Sequence, residues 1–125
     1  SARKNAHQFL INEIKNGRDI ELYWGGDFYR DYISVDYCCN AINYLITKSP
    51  VNNIYNIGSG QKFKFLDLMN FVKKETGSKS KFKSISPKPF HTLVQIKNMY
   101  LDITKLRNTG YNKEIDIYKE IKKLL

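Results

Sequence analysis

The stretch Tyr29-Arg30-Asp31-Tyr32-Ile33-Ser34-Val35-Asp36 constrains this chain most. It sets a short extended run, dense in charge and aromatic rings, directly against the start of a helix. Before it, Ile20-Glu21-Leu22-Tyr23 alternates as a strand does, and Gly25-Gly26-Asp27 makes a turn. Strand, glycine turn, extended run and helix in immediate succession point to a mixed α/β layout. In an extended run, side chains two residues apart share a face, which sets Arg30 beside Tyr32. A guanidinium suits bidentate contact with phosphate, and a phenol beside it suits a sugar carried on that phosphate. The competing reading is a structural ion pair of Arg30 with Asp27 or Asp36, since such pairs are common. The segment alone leaves both open.

The 125 residues suffice for one domain, 1–125, with a modest core. Nine Tyr and seven Phe make that core aromatic. No apolar run approaches the roughly 20 residues of a membrane span, and residues 1–15 carry no uninterrupted apolar region of the signal-peptide kind. Cys38 and Cys39 are adjacent and read as reduced thiols, which gives a cytoplasmic chain as the expectation. His7 and His91 lie far apart with no ligand spacing around them, so no metal site is expected. The net charge of +9 favours an anionic partner: nucleic acid, a membrane surface or a phosphorylated metabolite.

In chain order, Ala6, Phe9, Leu10 and Ile14 recur at helical spacing over residues 2–16, with His7 on the solvated side. Asp36 reads as the N-cap of a helix to about Lys48, with Ala41, Ile42, Leu45 and Ile46 inward and Pro50 at its end. Ile54-Tyr55-Asn56-Ile57 reads as a strand followed by the turn Gly58-Ser59-Gly60. Such a turn can bring amides to an anion, yet it lacks the lysine of a P-loop and the spacing of a dinucleotide fingerprint. A helix follows over Phe65–Thr76, with Leu66, Met69 and Phe71 or Val72 inward and Gly77 at its end. Residues 78–90, rich in Lys and Ser, allow a strand near Phe82–Ile85 and then an irregular loop. Ile96–Tyr100 reads as extended, Asp102 as the cap of a helix over 103–108, and Ile115, Tyr118, Ile121, Leu124 and Leu125 as a last helical stripe.

Four of these blocks, in order, resemble the C-terminal half of an extended short-chain dehydrogenase/reductase of the NAD-dependent nucleotide-sugar epimerase/dehydratase family. They are Leu22-Tyr23-Trp24-Gly25-Gly26; Arg30-Asp31-Tyr32-Ile33-Ser34-Val35-Asp36; Ile54-Tyr55-Asn56-Ile57-Gly58-Ser59-Gly60; and Leu101-Asp102-Ile103-Thr104-Lys105-Leu106 with Gly110-Tyr111. The resemblance implies an α/β (or α+β) fold: the C-terminal portion of a Rossmann-type sheet plus a small substrate-binding lobe. It implies a nucleoside diphosphate-sugar as ligand, with Arg30 on the diphosphate, Tyr32 near the ribose, and Tyr23 and Leu22 along the base. The family often carries Arg after Pro in a later loop; here Lys88 follows Pro87, and His91 and Gln95 are alternative polar contacts.

The family's N-terminal half brings the Gly-rich NAD turn and a Tyr-x-x-x-Lys pair, and neither block is found here. Tyr44 and Lys48 have that spacing but fall on a later helix, an accidental match. The expectation is therefore a substrate-binding half that does not turn over alone. NAD would be bound by the missing part, and the surface that met that part would be covered by it or by self-association. A stand-alone nucleotide-sugar-binding module and a basic nucleic-acid-binding domain are the alternatives.

Overall fold

The computed structural model describes residues 6–48, 52–94 and 97–125. Residues 2–5, Pro50, Val51, Gln95 and Ile96, to which the sequence reading gave roles, lie outside them. Helix α1 (Ala6–Lys15) leads into strand β1 (Ile20–Tyr23), a single 3-10 turn (Trp24–Gly26) and strand β2 (Tyr29–Arg30). Helix α2 (Val35–Lys48), strand β3 (Phe63–Lys64) and helix α3 (Phe65–Thr76) follow, then strand β4 (Phe82–Ile85) and helices α4 (Pro89–Val94), α5 (Thr104–Asn108) and α6 (Ile117–Lys122).

Among the described residues the strands form two small sheets. β1 and β4 run parallel, with Ile20 opposite Phe82 and Tyr23 opposite Ile85. β2 and β3 are antiparallel, with Arg30 opposite Phe63. The fold is thus mixed α/β, as expected.

Two apolar clusters hold it. The first joins Ile11 and Ile14 of α1, Ile20 and Leu22 of β1, Phe28, the inner face of α3 (Phe65, Leu68, Met69, Val72) and Ile117 and Ile121 of α6. Phe28 and Phe65 stack at its centre, with centroids 4.9 Å apart and planes 16° from parallel. The second joins Tyr37 and Ala41 of α2 to Ile103, Leu106, Tyr111 and Ile115. Tyr44 donates its hydroxyl to the Thr109 carbonyl at 2.7 Å, which accounts for this tyrosine as a tie between α2 and the chain after α5.

Several expectations are corrected. On α1 the buried stripe is Ile11 and Ile14, while Phe9 is 54% exposed; the face turned to α3 is rotated from the one read in the sequence. On α2 the inward positions are Tyr37 and Ala41, while Ile42 and Ile46 face outward, Ile46 at 75% exposure. That helix is apolar on two sides, so periodicity could not choose between them. Its cap is Ser34, whose Oγ accepts the Tyr37 N–H at 3.1 Å, and Asp36 lies within the first turn. Residues 54–57 join no ladder, and Ile54 is 86% exposed. α4 replaces the expected loop, starting on Pro89, where a missing N–H costs nothing. Ile115 is buried ahead of α6, which is shorter than its stripe and capped by Asp116 accepting from Lys119 N–H at 3.2 Å.

The N-cap of α5 is Ile103, which has no capping side chain; Asp102, expected there, stands one residue earlier, and its Oδ1 accepts the Thr104 N–H (2.8 Å) and hydroxyl (2.6 Å), which hold its carboxyl below the usual range. Met99 supplies the late extended contact, bridging to Arg30 and donating its N–H to the Tyr29 carbonyl at 3.0 Å.

The turn into β2 depends on Gly26, which has φ +79° and whose missing Cβ would lie 3.0 Å from the Leu66 Cα and 3.1 Å from its N. Gly26→Ala is expected to cost about 2 kcal/mol or more, from the left-handed backbone and from displacing the start of α3. A urea midpoint unchanged from the wild type would contradict this.

Candidate functional site

β1, the segment after the 3-10 turn, and α1 enclose a cleft of about 640 Å³ beside the first cluster. Leu22 and Tyr23 line it from β1, Phe28, Arg30 and Tyr32 from the β2 run, His7 from α1, Phe65 from α3, and Met99 from the late segment. Four of the six residues singled out in the sequence therefore come together. Arg30 and Tyr32 share a face, as the two-residue spacing required.

The Arg30 guanidinium lies over the Phe28 ring, 4.7 Å from its centroid. Its Nη1 donates to the Tyr29 carbonyl (2.9 Å) and to the Lys97 carbonyl. Backbone and ring thus set the guanidinium on the cleft wall. Asp27, one acid offered as its partner, pairs with Lys64 at 3.4 Å. Burial pushes the Tyr32 phenol up to about 12 despite the opposing influence of Arg30, so it enters the cleft as a neutral donor and acceptor.

Tyr23 meets His91 by a hydrogen bond of 2.6 Å between its hydroxyl and Nδ1. His91 thus reaches the cleft through Tyr23. Lys88 is exposed ahead of α4 and is not among the lining residues.

His7, read from sequence as solvated, is exposed as a residue and also sets its ring edge against Tyr32 (centroids 5.4 Å) and Phe65 (5.7 Å). Much of the residue meets solvent, yet burial of the ring, and then the Arg30 charge, lower its pKa below 6.5. Phe28 could have been found two residues before Arg30 on the same face. His7, Phe65 and Met99 come from distant segments, and no local signal marks them.

Asp31 also borders the cleft, and its carboxylate is taken up by backbone and serine donors. Its Oδ1 accepts the Ser59 N–H (3.0 Å) and hydroxyl (2.7 Å), and its Oδ2 accepts the Leu101 N–H (3.2 Å). Ser59 is fully buried and its Oγ also accepts the Gln61 N–H at 3.0 Å. A Cβ at Gly58 would stand 2.5 Å from Asp31 Oδ2, so any other residue here displaces that carboxylate. The Gly58-Ser59-Gly60 turn is therefore a structural staple, with the Ser59 amide turned to Asp31. A second cavity beside it is lined by Ser59, Gly60, Asp102, Thr104 and Arg107. Arg107 there donates to the carbonyls of Tyr111 (3.2 Å) and Lys113 (2.8 Å) and pairs with Glu114 at 3.6 Å, a loop clamp.

No protein-family profile matches the chain. Individual proteins do. A putative UDP-glucose 4-epimerase of Methanocaldococcus jannaschii is 29% identical over 117 residues, 94% of this chain and 36% of the relative. The ADP-L-glycero-D-manno-heptose-6-epimerase of Brachyspira hyodysenteriae is 29% identical over 105 residues, 83% of this chain and 33% of the relative. Among solved structures, the Thermotoga maritima UDP-glucose 4-epimerase with UDP-glucose superposes with a TM-score of 0.75 at 23% identity, covering 91% of this chain and 36% of that one. The dTDP-glucose 4,6-dehydratase of Bacillus anthracis in complex with NAD gives 0.71 at 16% identity, over 93% and 36%. The chain is similar in sequence to nucleotide-sugar epimerases and in fold to solved nucleotide-sugar epimerases and dehydratases, over a part of each. It spans about 36% of their length.

Proposed function

We propose that this chain is the nucleotide-sugar-binding part of an NAD-dependent sugar-nucleotide epimerase or dehydratase, and that residues 1–125 act as one such unit. The observation that carries this is the convergence of Leu22, Tyr23, Arg30 and Tyr32 on one cleft. Arg30 holds the diphosphate, Tyr32 lies by the ribose, and Leu22 and Tyr23 flank the base, with His91 steadying Tyr23. Lys88 contributes charge from outside the cleft wall.

The described residues do not fit NAD. The one Gly-Ser-Gly turn commits its serine amide to Asp31, and Tyr44 is committed to Thr109. NAD belongs to a part of the enzyme outside this chain, and the oxidation and reduction of the sugar are not assigned to residues here. Among the described residues no helix is long and apolar enough to cross a membrane.

Ile42 and Ile46 of α2, and Ile54, are exposed apolar side chains, and the rest of the enzyme covers them. Alone, the chain self-associates through it. Ile46→Lys with Ile54→Lys is expected to shift sedimentation toward monomer, and an unchanged distribution would contradict this.

Calorimetric titration with UDP-glucose and with a single-stranded oligonucleotide tests the reading. Saturable binding of the sugar nucleotide alone is expected. Strongly salt-dependent oligonucleotide binding, with none to UDP-glucose, would replace it by a basic nucleic-acid-binding domain.

A further inference from the structure

We infer that His7 is a second anion-contacting group of the Arg30 cleft, and that it binds a proton together with the ligand's pyrophosphate. This rests on the reading of the cleft as a nucleotide-sugar site. His7 shares the cleft wall with Arg30 and also lines the apolar cavity behind Tyr32, so its ring stands between the two spaces. Its Nε2 lies 3.4 Å from the Tyr32 hydroxyl, and its ring is edge-on to Tyr32 at 86° and to Phe65 at 71°. These contacts fix the imidazole beside the guanidinium without giving it an acid to pair with.

The surrounding charges are few. The β2 run presents Arg30, Asp31 and Tyr32, and β1 presents Glu21 across the cleft. Asp31 is turned to Ser59 and Leu101, and the Tyr32 phenol stays neutral. From α6, Glu120 borders the apolar cavity, where α3 offers Phe65, Leu68 and Met69. On α1 itself, Gln8, Leu10, Ile11 and Asn12 share cavities with His7 and are uncharged.

In the empty cleft, burial and Arg30 keep the ring neutral at pH 7. A pyrophosphate on Arg30 reverses both influences. It neutralises the guanidinium and places negative charge where an imidazolium can donate to it. The ring then gains a proton as the ligand enters. The sign follows: affinity rises as pH falls from above the bound ring's pKa toward that of the empty ring, which lies below 6.5. The limiting slope is about tenfold per pH unit, the linkage of one proton.

The test is calorimetry with UDP-glucose, whose pyrophosphate diester does not titrate near neutrality, at pH 7 in buffers of low and high ionisation enthalpy. The expected result is a binding enthalpy that depends on the buffer with the sign of proton uptake. His7→Gln is expected to bind a few-fold more weakly and to lose that dependence. Should that variant fail to fold, NMR titration of the wild-type histidines reads the same event. The chain has two histidines, and the His7 pKa is expected to rise by about one unit or more on saturation. Tight binding with a buffer-independent enthalpy, or a His7 titration unmoved by the ligand, would overturn the inference and leave the cleft reading intact. No binding of UDP-glucose at all would remove the cleft reading, and this inference with it.

Discussion

Replacing Asp31 by Ala is expected to destabilise the chain by about 3 kcal/mol, the loss of one carboxylate that accepts from three donors. Those donors come from separate stretches, the Gly-Ser-Gly turn and the segment before α5. The Ser59 N–H is buried and would be left facing a methyl group, while its hydroxyl keeps the Gln61 carbonyl at 3.0 Å as an acceptor; an unsatisfied buried donor costs about 1–3 kcal/mol by itself. Asp31→Asn keeps an acceptor for Ser59 and loses charge, so a smaller loss of about 1 kcal/mol is expected. Urea denaturation measures both. An Asp31→Ala midpoint close to wild type would show that the turn and the late segment are held by packing alone.

Arg30→Ala is expected to weaken UDP-glucose binding about 10- to 100-fold, the worth of hydrogen bonds to a charged group. The fold should survive, because the first cluster is built around Phe28 and Phe65 without the guanidinium. Arg30→Lys retains the charge and loses the planar fork, and falls between. The readout is the dissociation constant by calorimetry, alongside a urea midpoint for each variant. Equal affinities in wild type and Arg30→Ala would move the diphosphate elsewhere. A loss of affinity that tracked a loss of stability would make Arg30 a structural residue.

How much of this was legible follows from how far each signal reaches. That Arg30 and Tyr32 line one cleft was legible because side chains two residues apart in an extended run share a face; Leu22 and Tyr23, adjacent in β1, were named only by the family resemblance. The same logic found the helix after Ser34 but not its inward side, since α2 carries apolar residues on both flanks and only packing against Leu106 and Tyr111 decides. Residues 54–57 have the composition of a strand, but a strand needs a neighbour, and the described chain gives them none. His7 looked solvated because its surroundings, Tyr32 and Phe65, are assembled only by the docking of α1 on α3. Gly58-Ser59-Gly60 lacks the residues of a phosphate loop in sequence, but its actual partner, Asp31, lies 28 residues away and no local signal marks it. The resemblance of the four blocks was legible from sequence, while the partners of Asp31 required the structure.

That the ligand lies in the Arg30 cleft is tested most directly by an amide shift map of the chain titrated with UDP-glucose. Saturable shifts are expected at Leu22, Tyr23, Arg30 and Tyr32, with His7 and His91 beside them. Shifts centred on Ser59, Gly60 and Thr104, or spread along the lysines of residues 79–88, would contradict it.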